Sequence, residues 1–174
     1  MNKIALIYWP ERGNVQAVAN KFYNRLDPND VIMVSLGKLD KKLLEQYDHW
    51  IIGGSTVGSH IWEDADDTNK WNEFFKLLGE MDLTNKKVAF FGLGDQVLYP
   101  NHFVDGLGVL QEEFISRKAK IVGQWPTKGY DFTESNGVNN GMFFGLAIDQ
   151  DNQEELTDTR IDVWLKLIGP EFGI

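Results

Sequence analysis

The feature that most constrains the fold is an alternation of two apolar patterns along the chain. Short runs that are apolar nearly throughout occur at Lys3–Tyr8 (KIALIY), Val31–Leu36 (VIMVSL), His49–Gly54 (HWIIGG), Lys86–Gly94 (KKVAFFGLG) and Ala119–Gly123. Between them apolar residues recur at three- and four-residue spacing: Val15, Val18, Ala19, Phe22 and Leu26; Leu39, Leu43 and Leu44; Trp71, Phe74, Phe75 and Leu78; Phe103, Leu107, Leu110 and Phe114. The first pattern suits strands buried on both faces, the second helices with one buried face. Such strands need a layer on each side, so the order predicts a doubly wound α/β fold, a five-stranded parallel sheet with helices on both faces. From Gln124 to about Gly141 the period is lost in a segment rich in Gly, Asn and Thr; Phe143–Ile148 (FFGLAI) then resumes a strand, and Thr157–Ile168 predicts a closing helix. The irregular segment reads as an insertion within the last strand, and residues 1–174 as a single domain.

Composition narrows the chemistry. The chain has no cysteine and only His49, His60 and His102, scattered, which removes thiol chemistry and disfavours a histidine-based metal site. Redox work would need a borrowed cofactor. A net charge of −9 with dispersed Lys and Arg argues against nucleic acid; it suits a basic protein partner and equally serves simply to keep the protein soluble. The opening apolar run is too short for a signal peptide or a membrane span, so a cytoplasmic protein with no membrane contact is expected.

In open parallel sheets ligands bind beyond the carboxyl ends of the strands. That directs attention to Trp9–Asn14, Gly54–Asn69 and Gly92–Asn101, the last two long and polar for connections in a compact domain. The first lies where many α/β proteins hold a phosphate at a helix N-terminus, yet YWPERGNVQAVA (Tyr8–Ala19) contains no Ser or Thr.

The segments GLGDQVLYPNHF (Gly92–Phe103), WPTKGYDFTES (Trp125–Ser135) and GLAIDQDNQEELTDTRIDVW (Gly145–Trp164) resemble the long-chain flavodoxins in order and separation. With the β/α order, the resemblance spans essentially the whole chain, and the Gln124–Gly141 insertion corresponds to the loop that separates long-chain from short-chain members. It implies an electron carrier with one noncovalent FMN, a cofactor whose chemistry the protein tunes and does not supply. By the same resemblance Tyr99 stacks on the outer ring face, Gly94, Asp95 and Gln96 line the pyrimidine edge through backbone groups, and Asp151 approaches the ribityl chain.

The second loop has two alignments. Flavodoxins commonly carry Thr-Trp soon after the third strand, the Trp covering the inner ring face; here Ser55-Thr56 is followed by Val57-Gly58-Ser59-His60-Ile61-Trp62. One alignment puts Val57 against the ring and makes Gly58 the peptide that turns on reduction. The other places an extension of about five residues before Trp62, and the Trp62 to Trp71 separation favours it. An aromatic cover would add about 0.5–1.5 kcal/mol beyond burial. Glu63, Asp64, Asp66 and Asp67 either lower the potential of a nearby ring or form a solvated helix entry.

In the phosphate loop the family pattern is Thr/Ser-x-Thr-Gly-x-Thr, and this chain aligns Pro10, Arg12 and Val15 with the hydroxyl positions while keeping Gly13. Three side-chain donors are lost and Pro10 contributes no N–H. Backbone N–H groups from Glu11 to Gln16, Asn14 among them, and a fork of hydrogen bonds from Arg12 offer compensation. Glu11 opposes an anion, and Trp9 is bulky enough to fill the space. The sequence leaves both outcomes open. It points to a monomeric FMN flavodoxin working between a basic reductase and an acceptor enzyme, without substrate turnover of its own. A flavodoxin-fold regulatory module with weak FMN binding and an FMN-dependent quinone reductase are the alternatives.

Overall fold

The computed structural model describes residues 3–57 and 70–174. Its strands are β1 (Ile4–Trp9), β2 (Val31–Ser35), β3 (His49–Gly54), β4 (Lys87–Leu93), β5 (Lys120–Val122), β6 (Trp125–Pro126), β7 (Val138–Asn139), β8 (Met142–Phe143) and β9 (Leu146–Ile148). The helices are α1 (Gly13–Tyr23), α2 (Lys41–Gln46), α3 (Lys70–Leu78), α4 (Gly106–Ser116) and α5 (Glu154–Phe172), with a 3-10 turn at Leu36–Lys38.

The main sheet has the order β2-β1-β3-β4-β5 and is parallel throughout. Strands β5 and β9 share the fifth position: Lys87–Ala89 of β4 pair with Lys120–Val122, and Phe91–Leu93 pair with Leu146–Ile148. The insertion therefore interrupts the last strand, as expected from the lost periodicity. It contributes a small antiparallel sheet, β6-β8-β7, whose two-residue strands are too short to leave an alternating pattern in the sequence.

Alternation along the strands divides the core in two. Ala5, Ile7, Trp50, Ile52, Val88 and Phe90 face α3 and α4 through Trp71, Phe74, Leu107, Leu110 and Phe114. Ile4, Leu6, Tyr8, Ile51, Ala89 and Phe91 face α1 and α5 through Val15, Val18, Phe22, Ile161, Trp164 and Ile168. Helix α5 runs beyond the expected Thr157–Ile168 at both ends. Glu154 and Glu155 favour its positive N-terminus, and Phe172, fully buried, extends its packed face until Gly173 closes it in the left-handed conformation (φ 74°).

The order of strands reverses between β1 and β3, where the connections leave in opposite directions along the sheet. At that edge Trp9 pairs with Gly54, Gly54 with Gly92, and Leu93 with Ile148. The segments beginning at Pro10, Ser55, Gly94 and Asp149 therefore leave the sheet side by side. A side chain at Gly54 would lie 2.6 Å from the Trp9 carbonyl oxygen, so glycine is what lets β3 end this close to β1.

Candidate functional site

At the first segment Arg12 is the extended residue that precedes α1 (φ −165°, ψ 169°) and caps it with no side chain, while Gly13 takes the left-handed conformation (φ 61°) with open space where a side chain would stand. The first turn holds no acidic residue. The N–H groups of Gly13, Asn14 and Val15 have no acceptor within the helix, as at any helix start; Gln16 N–H reaches back to the Arg12 carbonyl at 3.4 Å. Arg12 is exposed, and its guanidinium makes no ion pair or hydrogen bond among the described residues.

The two residues expected to oppose an anion are turned elsewhere. Trp9 is half-buried and packs with the α3/α4 core, its ring 3.7 Å from where a side chain on Gly37 would begin, on the sheet face opposite α1. Glu11 reaches the turn after β2, where its carboxylate lies 3.0 Å from Lys38 Nζ. The nearby Ser35 side chain and the Lys38 ammonium hold the Glu11 carboxyl below the ordinary glutamate value, the Lys38 ion pair being the contact made in the structure, since the Ser35 hydroxyl has no hydrogen-bond partner among the described residues.

In the second segment Ser55 and Thr56 are exposed, whereas Val57 is buried. Its side chain packs at the start of α4, where a side chain on Gly106 would lie 2.9 Å from Val57 Cγ2. Gly58, Trp62 and the acidic group Glu63, Asp64, Asp66 and Asp67 lie outside the described residues.

The third segment is held from several sides. Gly94 N–H donates to the Ile148 carbonyl at 3.1 Å, and the Asp95 carboxylate accepts from Val97 N–H at 3.0 Å and Leu98 N–H at 2.8 Å, folding the loop into a turn. Those contacts, led by Leu98 N–H and joined by the Asn152 side chain, hold the Asp95 carboxyl below the ordinary range. Gln96 is almost fully buried: its backbone N–H and side-chain Nε2 both donate to Asp149, at 3.1 and 2.8 Å, and its Oε1 accepts from Asp131 N–H of the insertion. Val97, Leu98 and Tyr99 are exposed beside it, with Tyr99 N–H donating to the Asp95 carbonyl at 2.9 Å.

Asp149 is the residue that sequence reasoning missed. It is fully buried at the end of β9. Five N–H-bearing groups converge on its carboxylate: the two of Gln96, the backbone N–H groups of Asp151 and Asn152 at 3.1 and 3.0 Å, and Asn152 Nδ2. Asn152 Nδ2 also donates to Asp95 at 2.8 Å and so bridges the two carboxylates. A buried carboxylate of this kind is tolerable only with such a set of donors. The available signal was an Asp ending a fully apolar strand in LAID. Asp151, exposed at the same edge, has its carboxyl raised by partial desolvation and then by the charges of Asp95 and Asp149.

The arrangement is a rim at the carboxyl edge of the sheet, with free donors and a cation at α1 and a preformed loop at Gly94–Tyr99. Residues 6–164 match a family model described as flavodoxin. The chain belongs to the flavodoxin family. A Synechocystis flavodoxin is 40% identical over 98% of this chain and 98% of its own length, and a Klebsiella pneumoniae flavodoxin is 36% identical over 98% and 95%. The Fusobacterium nucleatum flavodoxin bound to flavin mononucleotide superposes with a TM-score of 0.85 at 28% identity, covering 99% of each chain. The strand order and split fifth position follow the expected long-chain flavodoxin fold, and flavodoxins are themselves a standard example of a ligand bound at the β1/β3 reversal. Among the described residues no helix is long and apolar enough to cross a membrane, and no cluster of His, Asp and Glu could hold a metal ion.

Proposed function

We propose that this flavodoxin carries electrons on one noncovalently bound FMN, working between a basic reductase and a basic acceptor protein. The observation that carries the reading is the start of α1: unpaired N–H groups at Gly13, Asn14 and Val15, no acidic residue in the first turn, and an unengaged Arg12 guanidinium, all at the β1/β3 reversal. These residues fit a phosphate without the family's hydroxyls. Gly13 leaves the approach open, the helix start supplies donors and partial positive charge, and Arg12 supplies a fork of charged donors.

Bound FMN supplies the one- and two-electron chemistry. The chain binds and orients it: Pro10 and Glu11 shape the entry to the phosphate site, Ser55 and Thr56 line the second segment, and Gly94, Asp95 and Gln96 present the pyrimidine edge. Because Gln96 N–H is engaged by Asp149, its remaining backbone contribution is the carbonyl. Tyr99 covers the outer ring face and Asp151 faces the ribityl chain. The burial of Val57 supports Trp62 as the inner cover, and Gly58 is the turning peptide only in the alternative alignment. The protein acts as a cytoplasmic, single-domain monomer with no substrate turnover of its own.

Titration of the purified chain with FMN and with riboflavin, followed by flavin fluorescence and the visible spectrum, tests this. Quenching by FMN at concentrations well below those needed for riboflavin is the expected result. No quenching by millimolar FMN would sink the reading. Steady NAD(P)H oxidation without an added reductase would convert it to a reductase instead.

A further inference from the structure

We propose that Lys38, on the 3-10 turn after β2, is a positioning residue of the phosphate site, acting by holding the Glu11 carboxylate away from the anion. The inference rests on the FMN reading above. Glu11 is two residues before the first residue of α1, in the stretch where a dianion would meet the helix dipole, and an unneutralised carboxylate there would repel it. In the structure that carboxylate is not directed along α1. It is drawn sideways to the exit of the neighbouring strand β2, where Lys38 Nζ stands 3.0 Å away and the buried Ser35 lies nearby.

The arrangement follows from the sheet order. Tyr8 pairs with Ser35, so β1 and β2 end in register and the turn Leu36–Lys38 emerges beside Pro10 and Glu11. Trp9 packed against Gly37 fixes the spacing of the two exits. Lys38 is thus the cation supplied from the adjacent crossover, while Arg12, one residue after Glu11, remains without a partner among the described residues. If Glu11 paired with Arg12 instead, the site would lose a cation and keep a carboxylate. Lys38 prevents that exchange, and the phosphate site retains Arg12 for its ligand.

The experiment compares FMN and riboflavin affinities of the wild type, Lys38→Met, Lys38→Arg and the double variant Glu11→Gln/Lys38→Met. Both side chains are exposed, and far-UV circular dichroism and urea midpoints report directly whether folding is intact. Lys38→Met is expected to weaken FMN about fivefold, the scale of an exposed charge interaction, with riboflavin unchanged. Lys38→Arg retains the wild-type ratio. The double variant restores it, because the carboxylate that Lys38 restrains is gone; the gap between Lys38→Met and wild type narrows at high salt. An unchanged FMN-to-riboflavin ratio in Lys38→Met overturns the inference alone. Failure of the double variant to restore the ratio also overturns it, since Lys38 would then contact the ligand itself. A wild type that binds both flavins equally, or neither, overturns the phosphate reading and this inference with it.

Discussion

The two ends of the candidate site are built on opposite principles. At α1 the donors are backbone N–H groups left over by helix geometry, Arg12 is exposed and unengaged, and Glu11 is diverted by an exposed ion pair. At the Gly94–Asn152 end nearly every polar group already has a partner, and the centre is a fully buried carboxylate. At the first end the exposed Glu11 and Arg12 can change without disturbing the core, whereas Val15, at the last of the hydroxyl positions, is buried in it. The second end is tied into the core, so its shape is coupled to folding.

The sharpest way to break this contrast is Asp149→Ala. Removing the acceptor strands the buried Gln96 N–H and Nε2 and the Asp151 and Asn152 N–H groups, and the variant is expected to lose about 3 kcal/mol or more of stability. Urea unfolding measures this, and affinity for FMN and riboflavin should fall together if, as proposed, the loop held by Asp149 presents the ring edge. Arg12→Ala is the complementary probe. It is expected to leave the urea midpoint within about 0.5 kcal/mol of wild type and to weaken FMN roughly ten- to hundredfold, the size of one charge-assisted hydrogen bond, with riboflavin unaffected. Equal losses for both flavins would erase the distinction between the two ends.

Asn152→Ala probes the bridge between Asp95 and Asp149. Its side chain is exposed, but its amide serves both carboxylates, so a loss of about 1 kcal/mol is expected, read from urea melts, with a modest fall in affinity for both flavins. Asp151→Asn should give the smallest effect. The Asp151 carboxyl is raised by partial desolvation and by Asp95 and Asp149, so its charge is unfavourable at neutral pH. For a raised carboxyl the folded state binds the proton more tightly than the unfolded chain, and stability declines as pH rises through the interval between the ordinary and raised values. The variant should therefore be slightly more stable than wild type at pH 7, and the difference should vanish below the ordinary aspartate value. A difference of the opposite sign would mean that Asp151 has a cation partner in solution.

Much of the fold was legible because strand and helix periods are local. HWIIGG is β3 with no change of boundary, and the buried stripe of α1 is the one that Val15, Val18, Ala19 and Phe22 spell out. The length of α5 was underread, since its first turn is exposed and polar and Phe172 lies beyond the regular stripe. Position and resemblance point to Arg12, Gly13, Gly94, Asp95 and Tyr99, which follow β1 and β4 at the carboxyl edge of the sheet. Asp149 was passed over in favour of its neighbour Asp151, because nothing in a linear motif tells which of two aspartates turns inward. Lys38 left no signal at all, being on a different crossover from the residue it restrains.

By itself the sequence determined that β1, β3 and β4 would be buried on both faces, that their carboxyl ends would carry the polar loops, and that the phosphate segment would lack hydroxyls. Those are properties of single segments and their periodicity. The tertiary structure decided where Trp9, Glu11 and Val57 point. Trp9 belongs to the α3/α4 face because alternation along β1 places it with Ala5 and Ile7, and only the sheet topology says which helices cover that face. Glu11 meets Lys38 because β1 and β2 end in register, and Val57 enters the core because Gly106 leaves room for it. Each of these is a contact between residues far apart in the chain, and such contacts exist only once the strands are ordered.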